Sequence, residues 1–191
     1  MIKGIIFDCY GVLVHGSLDY LRSLTSENDR QAFNELSHAS DRGYISRTDY
    51  ILGVGKLINR TPEDIEQIIA RQEIRSPEML EFVISLRANY KTAMLSNVGR
   101  GSVERLFGEE ELKNLFEVVV LSSEVGVTKP GVAIYQLTAS RLGLLPEECL
   151  MIDDIAVNVE GAKAAGMQAV QFKDIQQCKQ EVMVAVKGVY A

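Results

Sequence analysis

The chain opens with Ile2-Lys3-Gly4-Ile5-Ile6-Phe7-Asp8-Cys9-Tyr10-Gly11, and this stretch decides the fold. The run from Ile2 to Phe7 is short, apolar and β-branched. That is the pattern of a strand buried on both faces, and hence of a parallel sheet. The run stops at Asp8, and Gly11 permits a turn. The pattern recurs downstream. Tyr90 to Leu95 reads as a strand ending at Ser96-Asn97, and Val118 to Leu121 as one ending at Ser122-Ser123. Cys149 to Ile152 reads as a strand ending at Asp153-Asp154, and Gln168 to Phe172 as the last. Helical stretches are expected over 77–86, 101–115, 132–142, 157–165 and 175–186, with Gly143 and Gly166 as stops. This β–α alternation with short loops implies an α/β fold with right-handed crossovers.

Residues 15–76 break the alternation. Ser17 is the expected N-cap of a helix carrying Leu18, Leu21 and Leu24, and helical patterning runs from Arg30 to Asp41 with a stop at Gly43. Ser46-Arg47-Thr48-Asp49 and Thr61-Pro62-Glu63-Asp64 resemble helix starts; the second is the stronger, with Pro in the first turn and acids at the positive end of the helix dipole. Ile65, Ile68 and Ile69 form an apolar stripe. No strand is expected between Gly16 and Ser76. The predicted organisation is a core of residues 1–14 and 77–191, interrupted by a small all-helical insertion of residues 15–76.

Composition agrees. A length of 191 residues lies between one and two domains at about 150 residues each. Hydrophobic residues at 47% and charged residues at 24% are ordinary for a globular chain that needs no disulfide or metal to fold. The net charge of −6 argues against nucleic acid or an anionic membrane as main partner, because both call for concentrated positive charge. Cys9, Cys149 and Cys178 are far apart and form no CxxC pair, which fits reduced thiols rather than a disulfide framework or zinc site. The start lacks a signal-peptide pattern, so a cytoplasmic location is expected.

In open parallel sheets, ligands bind beyond the carboxyl ends of the strands. Here those ends carry Asp8, Ser96 and Asn97, then Thr128-Lys129-Pro130 after a short loop, and Asp153-Asp154. A carboxylate can act as a nucleophile. Magnesium takes hard oxygen ligands, typically one or two carboxylates with substrate phosphate and water. A hydroxyl, a lysine and loop N–H groups can hold the oxygens of a transferring phosphoryl group.

These residues resemble the motifs of the haloacid dehalogenase superfamily. Phe7-Asp8-Cys9-Tyr10-Gly11-Val12-Leu13 is similar to its first motif, Leu95-Ser96-Asn97 to its second, Lys129-Pro130 to its third, and Ile152-Asp153-Asp154 with Asn158 to its fourth. The resemblance implies a Rossmann-like core, Asp8 as nucleophile, Mg2+ as the usual cofactor, and the helical insertion as a cap that closes over the site and selects substrates. It makes Asp8, Ser96 and Lys129 catalytic, and places Asp8, Tyr10, Asp153 and Asp154 at the metal. It sets Cys9, Tyr10, Gly11 and Asn97 against substrate, with Asn158 supporting the site from behind.

One position departs from the pattern. Phosphatases of the superfamily carry Asp two residues after the nucleophile, as acid and then base; here Tyr10 stands there. Tyr, with a pKa near 10, can donate a proton but is a poor base at neutral pH. The superfamily's haloacid dehalogenases resemble this chain in having Tyr-Gly at that point, yet they generally lack the acidic pair that Asp153-Asp154 preserves. The leading expectation is magnesium-assisted hydrolysis of a small phosphorylated metabolite, slow with poor leaving groups. The alternatives are metal-free dehalogenation of a 2-halo acid, and a catalytically idle relative that binds a ligand or protein. The expected assembly is a monomer or homodimer.

Overall fold

A computed structural model describes residues 1–187 of the chain. Five strands form one parallel sheet: β1 (Gly4–Phe7), β4 (Lys91–Ser96), β5 (Val118–Leu121), β6 (Cys149–Asp153) and β7 (Gln168–Gln171), in the order β5-β4-β1-β6-β7. From β1 the chain adds β4 and β5 on one side, then returns to add β6 and β7 on the other. The order therefore reverses at β1, where such sheets open a crevice for ligands. Phe7 is level with Met94 on one neighbour and Ile152 on the other. That register sets Asp8 beside Asp153, and the Asp8 N–H donates to the Ile152 carbonyl at 2.9 Å.

Alternating side chains build two cores, because successive residues of a strand point to opposite faces. Ile5, Phe7, Met94, Leu150 and Ile152 face α5 (Pro77–Leu86), α6 (Ser102–Leu106), α7 (Glu109–Leu115) and α11 (Ile175–Lys187). Ile6, Ala93, Leu95, Val120 and Met151 face α9 (Val132–Arg141) and α10 (Ala156–Ala164). Where a single helix is expected over 101–115, the structure has two, broken at Phe107-Gly108. The Phe107 backbone is extended there and its ring is buried against the first core. A short helix, α8 (Ser122–Val125), follows β5 directly.

Between the first strand and α5 lie α1 (Leu18–Ser23), α2 (Arg30–Asp41), α3 (Arg47–Ile58) and α4 (Pro62–Gln72). Leu21, Phe33, Ile51, Val54, Ile65 and Ile69 form a third, separate apolar cluster among them. The expected starts of α3 and α4 are full capping boxes: Ser46 with Asp49, and Thr61 with Asp64, each pair satisfying two otherwise free N–H groups. Ser17 does precede α1, but its side chain makes no capping bond; its hydroxyl donates to Glu73 instead.

The expectation of no strand between Gly16 and Ser76 fails in a small way, at Ile74–Arg75. Two-residue strands β2 (Val14–His15) and β3 (Ile74–Arg75) pair antiparallel and join the ends of the helical segment. They are too short for period-two alternation to appear in sequence. No described helix is long and apolar enough to cross a membrane.

Candidate active site

Three carboxylates, one ammonium and one hydroxyl meet where the strand order reverses. Asp8 Oδ1 accepts from the Cys9 N–H at 2.7 Å and from the Ser96 hydroxyl at 3.0 Å. Lys129 Nζ bridges the two sides, 2.9 Å from Asp8 Oδ2 and 2.6 Å from Asp153 Oδ2. Asp153 is held in turn by the Ile155 N–H at 2.9 Å and by the Asn158 amide at 3.1 Å and 3.3 Å. Both oxygens of this fully buried aspartate are thus held, and one of them orients Lys129.

Asn97 works through the backbone. Its side-chain amide donates to the Lys129 carbonyl, and its side-chain oxygen accepts from the Lys129 N–H, both at 2.9 Å. This pair ties the end of β4 to the loop carrying the lysine. Tyr135 ties α9 to α10 by donating to the Asn158 carbonyl at 2.7 Å.

Burial pushes the Asp8 carboxyl up to about 7; the Lys129 ammonium pulls against that shift, and Asp153 and Asp154 add to it. Burial also opposes the charge on Lys129, but attraction to Asp8 and Asp153 outweighs it and holds the group above the ordinary lysine value. The Asp154 carboxyl is raised by burial and then by Asp153.

The donor set fits a hard divalent cation. Asp8, Asp153 and Asp154 each offer an oxygen, and these atoms all lie within 4.8 Å of one another. Asp154 Oδ1 is buried without a hydrogen-bond partner, a costly condition unless a ligand answers it. Gly11, at φ +86°, leaves room for that carboxylate: a Cβ there would collide with all three of its terminal atoms.

A cleft of about 500 Å³ lies over these groups. Asp8, Tyr10, Ser96, Asn97, Lys129 and Asn158 reach it from the sheet side, and His38, Asp41, Arg42, Arg47 and Tyr50 from the helical segment. Two expected substrate contacts stand elsewhere. Cys9 is fully buried in the first core and serves Asp8 through its backbone N–H, and Gly11 serves Asp154 by its lack of a side chain.

Tyr10 lines the cleft, but its hydroxyl donates to Glu73 Oε1 at 3.0 Å. The other Glu73 oxygen lies 2.7 Å from Arg105, and the carboxylate side chain is only 5% exposed. Burial and the neighbouring Glu73 carboxylate raise the Tyr10 phenol above its ordinary value. The hydroxyl that replaces the superfamily's acid is therefore committed to a junction between the helical segment and α6. Glu73 and Arg105 carry no motif, and only the chain's folding brings them within reach of Tyr10.

Known proteins similar to this chain bear on its family and its fold. A haloacid dehalogenase-like hydrolase family model matches residues 2–166. A D-ribitol-5-phosphate phosphatase of Bacteroides thetaiotaomicron is 26% identical over 98% of this chain and 100% of its own length. A phosphorylated carbohydrates phosphatase of Thermotoga maritima is 26% identical over 88% of this chain and 84% of its own. A drimenol cyclase of Aspergillus calidoustus is far longer, and the chain spans only 34% of it; with a phosphatase of Mycobacterium tuberculosis the match is confined to 58 residues, 30% of this chain and 27% of that protein. Among solved structures, a B. thetaiotaomicron enzyme in complex with magnesium and inorganic phosphate superposes with a TM-score of 0.75, covering 91% of this chain and 95% of that one at 20% identity.

Proposed function

Because this chain belongs to the haloacid dehalogenase-like hydrolases, we propose that it hydrolyses a small phosphorylated metabolite through Asp8, with Mg2+ at the carboxylate cluster. The observation that carries this reading is the unpartnered, buried Asp154 oxygen close to Asp8 and Asp153, where the single charge of Lys129 leaves the carboxylates in excess. A metal-free hydrolase has no need of a third carboxylate there. The phosphatase names of the relatives support a phosphorylated carbohydrate as the substrate class. On the same reading, residues 1–14 and 77–191 form the catalytic core, and 15–76 form a cap that contributes half the cleft.

The chain's own groups account for the chemistry in two halves. An Asp8 oxygen attacks phosphorus and expels the alcohol, leaving an acyl phosphate that water then opens. Ser96 donates to Asp8 and stands where it can also meet a phosphoryl oxygen. Lys129 favours the ionised nucleophile and offsets its repulsion from an anionic substrate. Asp153, Asn158 and Asn97 fix the lysine's direction. Asp8 and Asp154, with Asp153 alongside, would hold the Mg2+, which supplies positive charge to the transferring phosphoryl oxygens.

Hydrolysis of p-nitrophenyl phosphate is expected to require Mg2+, to stop on chelation with EDTA, and to fall by about 10⁴-fold or more in Asp8→Asn. Tyr10 favours a second reading, dehalogenation of a 2-halo acid on the same aspartate. Halide release that persists in EDTA, with no phosphate ester cleaved, would select that reading over the first.

A further inference from the structure

Asp41 is the last residue of α2 and lines the cleft together with Asp8 and Lys129. Its position is unfavourable for an acid on structural grounds alone. The carboxylate sits at the negative end of a helix dipole. The residue is half-buried, and no described group hydrogen-bonds or ion-pairs with its carboxylate; what lies around it is charge at longer range. The fold nevertheless fixes this residue firmly against the sheet side. The Ser122 hydroxyl donates to the Asp41 carbonyl at 2.5 Å and itself accepts from the Val98 N–H at 3.0 Å, so α2 ends on the loop that follows β4. Two glycines permit the approach. A Cβ at Gly43 would strike the Ser123 carbonyl, and one at Gly99 the Ser40 hydroxyl.

The cleft contains a nucleophile, a hydroxyl and a buried ammonium, but the residue at the usual acid position has given its hydroxyl to Glu73. We propose that Asp41 is the proton donor and acceptor of the reaction, reaching the leaving oxygen from the helical side; this inference rests on the reading of Asp8 as phosphoryl acceptor. In the first half, an Asp8 oxygen bonds to phosphorus, the bond to the leaving oxygen breaks with its electron pair, and that oxygen takes the Asp41 proton. In the second half, a water oxygen bonds to phosphorus, the bond to Asp8 breaks with its pair returning to the carboxylate, and the water's proton goes to Asp41. The sum is an alcohol, inorganic phosphate and an unchanged enzyme.

The surroundings suit a group that must both give and take a proton near neutrality. Burial pushes the Asp41 carboxyl up to about 6, against the lowering by His38, Lys129 and Arg42. His38 and Arg42 flank it on α2 and its C-terminus, Arg47 and Tyr50 face the cleft from α3, and Lys129 and Arg100 face it from the sheet side. The charged residue of α8, Glu124, is exposed to solvent.

The test is Asp41→Asn, compared with wild type on p-nitrophenyl phosphate and ribitol 5-phosphate in Mg2+. Nitrophenolate needs no proton to leave, so the variant should release about one equivalent per protein in a burst at near wild-type rate. Turnover then slows by about 10²–10⁴-fold. The alkyl phosphate should show no burst and a loss of similar size, and the limb of the wild-type pH profile near 6 should vanish. The burst serves as the control for folding and for Asp8. Wild-type turnover by the variant on either substrate, or loss of the burst together with turnover, overturns the assignment while leaving Asp8 in place. If the wild-type chain cleaves neither ester, the reading of Asp8 fails and the assignment of Asp41 fails with it.

Discussion

Asp154 apart, whose Oδ1 is buried without a hydrogen-bond partner, the two walls of the cleft hold their charges in opposite ways. On the sheet side, Asp8, Lys129 and Asp153 form a closed set in which each buried charge has a partner within 3 Å, and Asn158 and two backbone N–H groups complete it. On the helical side, the half-buried Asp41 carboxylate has no partner among the described residues, and Glu73 alone has built a network, with Tyr10, Ser17 and Arg105. Partnered charges are held in place and define a geometry. An unpartnered one keeps its capacity to change protonation state. The difference separates a wall that positions from a wall that can exchange protons.

The contrast is sharpest at Lys129. Replacement by Met keeps the length of the side chain but strands two buried carboxylates. The expected loss is ~3–5 kcal/mol of unfolding free energy at pH 7.5. It should shrink at pH 5, where Asp8, with its carboxyl pushed up to about 7, takes up a proton. Chemical denaturation at the two pH values checks this, and an equal loss at both would break the account of the closed set.

Asp41→Asn should have the opposite sign. The folded-state carboxyl is raised from 3.8 to about 6. The folded protein therefore holds a proton that the unfolded chain has lost between those values, and the penalty is complete above pH 6. Removing the charge should stabilise the protein by ~2–3 kcal/mol at pH 7.5 and by almost nothing below pH 4, read from urea midpoints. Destabilisation at pH 7.5 would mean that the carboxylate has a favourable partner after all.

The smallest effect belongs to Tyr10→Phe, which removes one hydrogen bond to Glu73. A loss of about 1 kcal/mol is expected by the same measurement. No loss would show that the hydroxyl's bond to Glu73 contributes nothing net.

What could be read in advance divides along the same line. Asp8, Ser96, Lys129 and Asp153-Asp154 were legible because each ends an apolar run or follows one closely, and a polar residue in that place has few structural reasons to be there. The capping boxes at Ser46 and Thr61 were legible because their chemistry is local, spanning three residues. Glu73, Arg105 and Asp41 were not. Each is one more charged residue in or beside a helical pattern, and the groups that give it meaning lie far away in sequence: Tyr10 is 63 residues from Glu73. The pairing of β2 with β3 escaped for a related reason, since two residues carry no period. The break at Phe107-Gly108 could have been suspected from Gly108, but the helical pattern on both sides masked it.

That small ribbon has a consequence for how the molecule can be taken apart. Because Val14 lies opposite Arg75, the chain leaves for the helical segment and returns from it at adjacent points. Arg75 anchors the return, binding Glu111 and the Leu106 carbonyl while stacking on Phe107. A segment whose ends already touch can be exchanged for another of different length or shape without altering the path of the sheet. The ribbon is a splice point, and the same sheet can accept a different helical insertion there with its strand order untouched.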